Sequence, residues 1–189
     1  MKSTTEQDII HVTIEMIKRD GYKDLSLRKV ASETGLTTGA IYTHFKNKEE
    51  LFYKTSLQIH QSISNKFDLN INESAYERLE SVVQTLCQLF EEEPNEMEFI
   101  YFNPTLVKAY QNHSADFPFI KLTRSISDQA NPGSLNDQQF FYQIWSFIQG
   151  YGLLIKNGSV HFDAHMTSVT IQQLCQQTDL SNQQLGSNA

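Results

Sequence analysis

Residues 25–52, LSLRKVASETGLTTGAIYTHFKNKEELF, decide how this chain is read. Ser26 is placed to cap a short helix over 27–34, in which Leu27, Val30 and Ala31 share one face at helical spacing. Gly35 ends it: the residue just past a helix C-terminus usually takes a positive φ, which glycine adopts without a Cβ clash. Leu36 then supplies an apolar plug for the corner. A second helix is predicted from Thr37 or Thr38 to about Phe45, with Ile41 and Phe45 as the inward i, i+4 pair. Two helices joined by a tight glycine-containing turn make a helix-turn-helix, the geometry that lays a second helix in a DNA major groove. The leading residues Thr37, Thr38, Gly39 and Ala40 are small, so backbone, hydroxyls and a methyl can all approach base edges. Asn47 with Glu50 predicts a capping box opening a further helix, with Lys48 in its first turn, where a phosphate is favoured.

Outward from this stretch, composition describes an ordinary globular chain: 189 residues, 39% hydrophobic and 20% charged, with four prolines and eight glycines. The net charge of -7 is unevenly spread. Residues 1–48 carry eight Lys and Arg against six Asp and Glu, a balance of +2, whereas 49–189 carry seven against sixteen, a balance of -9. A basic end on an acidic body steers the molecule onto a polyanion in one orientation. The longest apolar stretch, 144–155, is broken by Ser146, Gln149 and glycines, and no basic-plus-apolar leader opens the chain. The expectation is therefore a cytoplasmic protein with no membrane span. Cys87 and Cys175 lack CxxC spacing and read as free thiols.

The first helix is predicted over 2–20, with Ile10, Ile14 and Ile17 as its stripe and Gly21 as its end. It braces a three-helix unit whose other core faces are Leu25, Leu27, Val30, Leu36, Ile41 and Phe45. A helix from Lys48 through Leu51, Phe52, Ile59 and Ile63 connects this unit to the rest of the chain. Ser74 with Glu77 predicts a helix to Glu92, stopped by the acidic run Glu91 to Glu93 and Pro94, a run read as a solvated terminus. Pro104 splits 95–114 into two short helices or a kinked one, and another helix begins near Pro118. Asn136 with Gln139 opens a helix over 137–156 that is apolar nearly all round, with Gly150 and Gly152 thinning it for a close neighbour. A last helix covers 163–178. Thirteen of the twenty-one aromatics fall between Phe90 and Tyr151, as core and interface packing or as the wall of a ligand cavity.

The run from Gly21 to Phe52 resembles the N-terminal signature of the TetR family of transcriptional regulators. The resemblance lies in Gly21 with its aromatic neighbour, Ser26-Leu27-Arg28, Val30-Ala31, Gly35-Leu36-Thr37, Gly39-Ala40-Ile41-Tyr42, His44-Phe45, Lys48-Glu49 and Leu51-Phe52. It implies an all-α protein: an N-terminal three-helix helix-turn-helix DNA-binding domain (1–47) and a C-terminal helical ligand-binding and dimerisation domain (48–178, with 48–67 as connecting helix). Residues 179–189 are expected to be a flexible tail. It also implies a homodimer paired through the last two long helices, which suits DNA, because two reading helices related by a two-fold axis read a palindrome with half-sites about 34 to 36 Å apart.

Arg28, Thr38, Gly39, Ala40 and Thr43 are the base-edge candidates, and Ser26, Thr37, Tyr42, His44, Lys46 and Lys48 the phosphate candidates, His44 and Tyr42 by the resemblance. Phe99, Phe102, Tyr110 and Trp145 are the candidate cavity wall for a small apolar or aromatic effector. The expected partners are thus a double-stranded operator, a second copy of the chain and a small molecule. The alternative is a DNA-binding regulator with no small-molecule site, governed by a protein partner or by abundance. His161 and His165 with Asp163 straddle a helix start without a third histidine, so no metal is expected, and no cofactor fingerprint or catalytic motif occurs.

Overall fold

A computed structural model describes residues 5–67, 72–112 and 118–176. Ten helices account for them, with no strand among the described residues: α1 (Glu6–Asp20), α2 (Leu27–Thr34), α3 (Thr38–His44), α4 (Lys48–Ser64), α5 (Ala75–Glu92), α6 (Pro94–Phe102), α7 (Pro104–Asn112), α8 (Pro118–Ala130), α9 (Asp137–Lys156) and α10 (Ala164–Cys175). Their starts follow local chemistry. Thr5 and Asp8 form a reciprocal capping box on α1, so that helix begins at Glu6 rather than at residue 2. Asn136 and Gln139 do the same for α9, and Ser74 and Glu77 exchange hydrogen bonds of 2.8 and 3.2 Å before α5. Pro94, Pro104 and Pro118 each occupy the first position of a helix, where the missing N–H is one the helix does not use.

The chain forms two compact units that interleave along the sequence. The first comprises residues 1–66 and 92–119. In it α1 packs against α2, α4 and α6, α3 lies on α2, and α7 packs on α4 and α6. Ile9, Ile17, Val30, Ile41, Leu51, Met97, Phe99 and Ile100 are wholly buried there. Leu36, expected in this core, is only half-buried at the corner between α2 and α3. The second unit comprises residues 67–91 and 120–189, with Leu79, Val82, Val83, Leu86, Phe90, Phe140 and Ile148 at its centre. No helix among the described residues is long and apolar enough to cross a membrane. The stretch expected to be a flexible tail, 179–189, lies outside the described residues.

The two glycines of α9 have different surroundings. A Cβ on Gly152 would stand 2.3 Å from two carbons of the buried Phe90 ring, so that position admits glycine alone without movement of α5. Gly150 meets nothing within 4 Å among the described residues. The helix is also less enclosed than its composition predicts, because Tyr142, Leu153 and Leu154 remain 51%, 41% and 49% exposed. Gly152→Ala is accordingly expected to destabilise the protein by about 1 to 3 kcal/mol. Gly150→Ala is expected to be neutral or to stabilise it by up to about 1 kcal/mol, through helix propensity alone. Urea unfolding of the two variants side by side measures both.

Candidate nucleic-acid interface

The corner that aims α3 is a complete Schellman turn. Gly35 sits at φ 68°, ψ 18°, its N–H donates to Ser32 O at 3.3 Å, and the N–H of Leu36 donates to Ala31 O at 2.9 Å. Because Gly35 takes the left-handed conformation, the chain reverses within two residues and Thr37 is already the N-cap of α3. Thr37 Oγ1 accepts from the N–H of Ala40 at 3.1 Å. Ser26 plays the same part for α2, accepting from Lys29 N–H at 3.3 Å. In both caps the oxygen lone pair is engaged while the hydroxyl proton is left to donate outward.

Two buried side chains hold α3 down: Ile41 is 0% and Phe45 1% exposed. On the other side Tyr42 is 56% exposed, Gly39, Thr43 and Lys46 are exposed, and Thr38, Ala40 and His44 are partly exposed. A Cβ on Gly39 would meet only Thr37 Oγ1, at 3.8 Å, so packing within the chain does not demand glycine there. Thr43 donates its hydroxyl to Ala40 O at 2.7 Å and therefore presents only acceptor lone pairs. The structure thus brings Thr37, Thr38, Gly39, Ala40, Tyr42, Thr43, His44 and Lys46 to a single short element and its flanks, with Ser26 and Arg28 on the preceding helix.

The turn into α4 is pinned by one carboxylate. Asn47 Oδ1 accepts from Glu50 N–H at 2.8 Å, while Glu50 Oε2 accepts from Lys46 N–H at 2.7 Å, one residue earlier than a strict capping box would reach. That backbone N–H, with Lys54 adding to it, holds the Glu50 carboxyl below its usual range. Lys54 Nζ bridges Glu50 at 3.5 Å and Glu6 of α1 at 3.0 Å, tying the start of α4 to the start of α1.

Charge pairing in the head is selective. Among the described residues up to 66, Lys18, Arg19, Lys23, Lys54 and Lys66 each have a carboxylate partner within 4.0 Å. Among the described residues Arg28, Lys29, Lys46 and Lys48 have no carboxylate within 4.0 Å. Lys29 was not singled out by the sequence reading, although its place beside Arg28 on α2 was a visible signal. Lys48 does not reach into open solvent: its Nζ lies 4.7 Å from the centroid of the Phe52 ring, one turn further along α4. Burial pushes the Lys48 ammonium pKa down against the opposing pull of Glu49 and Asp24.

The effector candidates fall in both units. Phe99 is wholly buried in the first unit, edge-on to Phe52 at 5.1 Å and tilted against Tyr22 at 5.7 Å, a packing position. Phe102 is half-buried in the same unit, and its carbonyl accepts from Tyr22 OH at 3.4 Å. Trp145 belongs to the second unit, stacked on Phe141 at 5.7 Å. The side chain of Tyr110 lies outside the described residues. The acidic run after α5 is partnered rather than simply solvated: Glu91 meets His161 Nδ1 at 2.7 Å and Glu93 meets Lys66 Nζ at 2.6 Å. Among the described residues no three His, Cys, Asp or Glu side chains are grouped to hold a metal ion.

Residues 9–54 match the family model for bacterial regulatory proteins, tetR family. The HTH-type transcriptional regulator AcrR of Shigella flexneri is 42% identical over 48 residues, which are 25% of this chain and 22% of that protein. The chain therefore aligns with little more than a fifth of that relative's length. Among solved structures, BioQ with its double-stranded DNA operator superposes with a TM-score of 0.64 at 16% identity, covering 92% of this chain and 99% of that one. The regulator FadR of Bacillus subtilis, in complex with stearoyl-CoA, superposes with a TM-score of 0.67 at 16% identity, covering 93% and 100%. At such identities the likeness is one of fold, and it extends over nearly the whole chain.

If the Thr37 hydroxyl is what starts α3, Thr37→Ala should lower stability by about 0.5 to 2 kcal/mol, and Thr37→Ser, which keeps the accepting oxygen, should restore most of it. Thermal melts of the three proteins give the comparison.

Proposed function

We propose that this chain, whose residues 9–54 match the family model for bacterial regulatory proteins, tetR family, is a homodimeric repressor of that kind, which binds a palindromic operator and is released by a small apolar or aromatic effector. One observation carries the DNA-binding half of the reading. Among the described residues up to 66, the lysines and arginines with no carboxylate within 4.0 Å are Arg28 and Lys29 on α2, Lys46 just past the end of α3, and Lys48 at the start of α4. Unpaired cations at a helix that offers hydroxyls and bare backbone are what phosphate neutralisation and groove reading require.

In this reading the hydroxyl protons of Ser26 and Thr37 go to phosphates, together with Tyr42, His44, Lys46 and Lys48. Lys48 leaves the Phe52 ring to meet its phosphate, a move favoured because the ammonium is partly desolvated where it lies. Arg28, Thr38, Gly39, Ala40 and Thr43 face base edges, and Thr43, with its proton already given to Ala40, is suited to accept from adenine N6 or cytosine N4. Dimerisation through α9 and α10 is supported by the apolar side chains that a single chain leaves uncovered on α9, Tyr142, Leu153 and Leu154. An effector is supported by the fold shared with a regulator solved with stearoyl-CoA and by the aromatic content of the helices after α5. Its release mechanism requires different affinities for two spacings of the reading helices in the dimer.

Footprinting on the DNA flanking the chain's own reading frame tests the proposal directly. A protected inverted repeat is the expected result, and the absence of any duplex binding at low ionic strength would refute it. Lys46→Ala and Lys48→Ala should each weaken binding to all duplexes and flatten the salt dependence by about one unit. Arg28→Ala should instead cost about 1 to 3 kcal/mol, concentrated at one base pair of each half-site. Leu154→Glu should yield a folded monomer by sedimentation and lose operator binding, because one reading helix spans too few base pairs.

A further inference from the structure

A cleft of about 320 Å³ lies in the first unit, where the loop after α1, the start of α4 and the start of α7 meet. Phe52 and Asn103, each 2% exposed, form its floor, and Tyr22 and Pro104 add apolar wall. Two donors that line it lack an acceptor. Asn103 spends its Oδ1 on the N–H of Thr105 at 3.1 Å, while its buried Nδ2 has no hydrogen-bond partner among the described residues. Lys48 has no carboxylate within 4.0 Å among the described residues, and its Nζ rests 4.7 Å from the Phe52 ring centroid. A buried amide donor without an acceptor is an exception in folded proteins and calls for an occupant.

The other charges around the cleft narrow the ligand. Lys23 is held by Glu98 at 2.9 Å and adds no net charge. Glu49, an exposed lining residue, stands more than 4.0 Å from Lys48 and opposes the entry of a second negative charge. Glu49 and Asp24 both pull on Lys48, yet burial outweighs them and pushes the ammonium pKa down, so this cation is short of a counter-ion. α7 has no bare amides to give. Pro104 carries none, the N–H of Thr105 goes to Asn103 Oδ1, and those of Leu106 and Val107 go to Asn103 O at 3.0 and 3.1 Å. A phosphate dianion would need such amides and a second cation. A carboxylate needs less: one ammonium and one amide N–H meet its two oxygens, and ring walls suit a flat apolar body.

We propose that this cleft binds a small aromatic monocarboxylate, its oxygens taken by Lys48 Nζ and Asn103 Nδ2 and its ring by Phe52, Tyr22 and Pro104, and that the bound acid holds Lys48 away from the operator. The site is separate from the effector cavity of the preceding reading. Its second effect rests on that reading's DNA-binding half, in which Lys48 meets a phosphate. One ammonium cannot serve both anions, so acid and duplex bind antagonistically, each lowering affinity for the other by the same factor. That factor is bounded by what Lys48 contributes, because the other phosphate and base contacts are untouched. One phosphate contact out of a set amounts to roughly threefold to tenfold at moderate salt.

Benzoate is the probe, titrated into the full chain at constant ionic strength beside inorganic phosphate and benzyl alcohol, with the Asn103 side-chain amide followed by ¹⁵N NMR. Benzoate should shift that amide saturably, in the millimolar range or below. Phosphate, which lacks the ring, and benzyl alcohol, which lacks the charge, should each bind about tenfold more weakly or worse. Asn103→Ser, which keeps an oxygen to cap α7, and Lys48→Met should each weaken benzoate by a similar factor in calorimetry. Saturating benzoate should lower affinity for a labelled duplex carrying the footprinted site roughly threefold to tenfold in the parent, and should leave the duplex affinity of both variants unchanged. An Asn103 amide that does not move, or benzoate binding that survives Asn103→Ser, would overturn the site and assign that donor to water. Equal binding of benzyl alcohol, or preferred binding of phosphate, would overturn the carboxylate. Benzoate bound as stated with no change in duplex affinity would overturn the antagonism, whereas no duplex binding in any buffer would overturn the DNA-binding reading and leave the site standing.

Discussion

Seven residues cannot hold a helix in water, since nucleation alone outweighs the few hydrogen bonds so short a segment can form. α3 exists because Ile41 and Phe45 are driven out of solvent and because both of its ends are supplied with partners. Everything proposed for the outward face depends on that anchoring. Burial of these two large apolar side chains offsets part of the ordering cost of the element, and it leaves the side chains on its other face exposed. A longer helix could afford a loosely packed anchor, whereas this one would melt. The exactness of the Gly35 turn follows from the same need, since a corner with slack would let Ile41 leave its site.

Pairing of charge complements the packing. The ion pairs of the head join elements to one another: Arg19 to Glu33, Lys23 to Glu98, Lys54 to Glu6. Each is exposed enough to contribute little stability singly. Their larger effect is to remove positive charge from the flanks, so that the field near α3 comes from the cations without partners. A net acidic chain can in this way present a locally basic surface, and docking on a polyanion in any other orientation is opposed by the remaining carboxylates.

Helix starts were largely legible in the sequence, because capping is a matter of a few adjacent atoms. Ser26, Thr37, Asn47, Ser74 and Asn136 all stand where the sequence reading put them. The prolines were harder: Pro94 reads as a stop and Pro104 as an interruption, yet each also opens the next helix, since the same missing N–H serves both purposes. Lys48 resting on Phe52 has the i, i+4 spacing of a helical pair and was open to inference. The meeting of Lys18 with Glu96 and of Lys66 with Glu93 was not. Those contacts join residues far apart in the chain, and local pattern carries no information about which buried carboxyl will meet which neighbour. Burial was misjudged for the same reason at Leu36, where the pattern names an apolar residue but not what stands opposite.

The interleaving of the first unit bears on how the protein comes into being. Tyr22 and Phe52 close around Phe99, and α1 packs against α6, which begins at residue 94. A nascent chain therefore exposes this side of its first four helices until nearly two thirds of it has left the ribosome. The part of the molecule made first is finished among the last, and a stalled or truncated translation product would be sticky before it was competent to engage a gene.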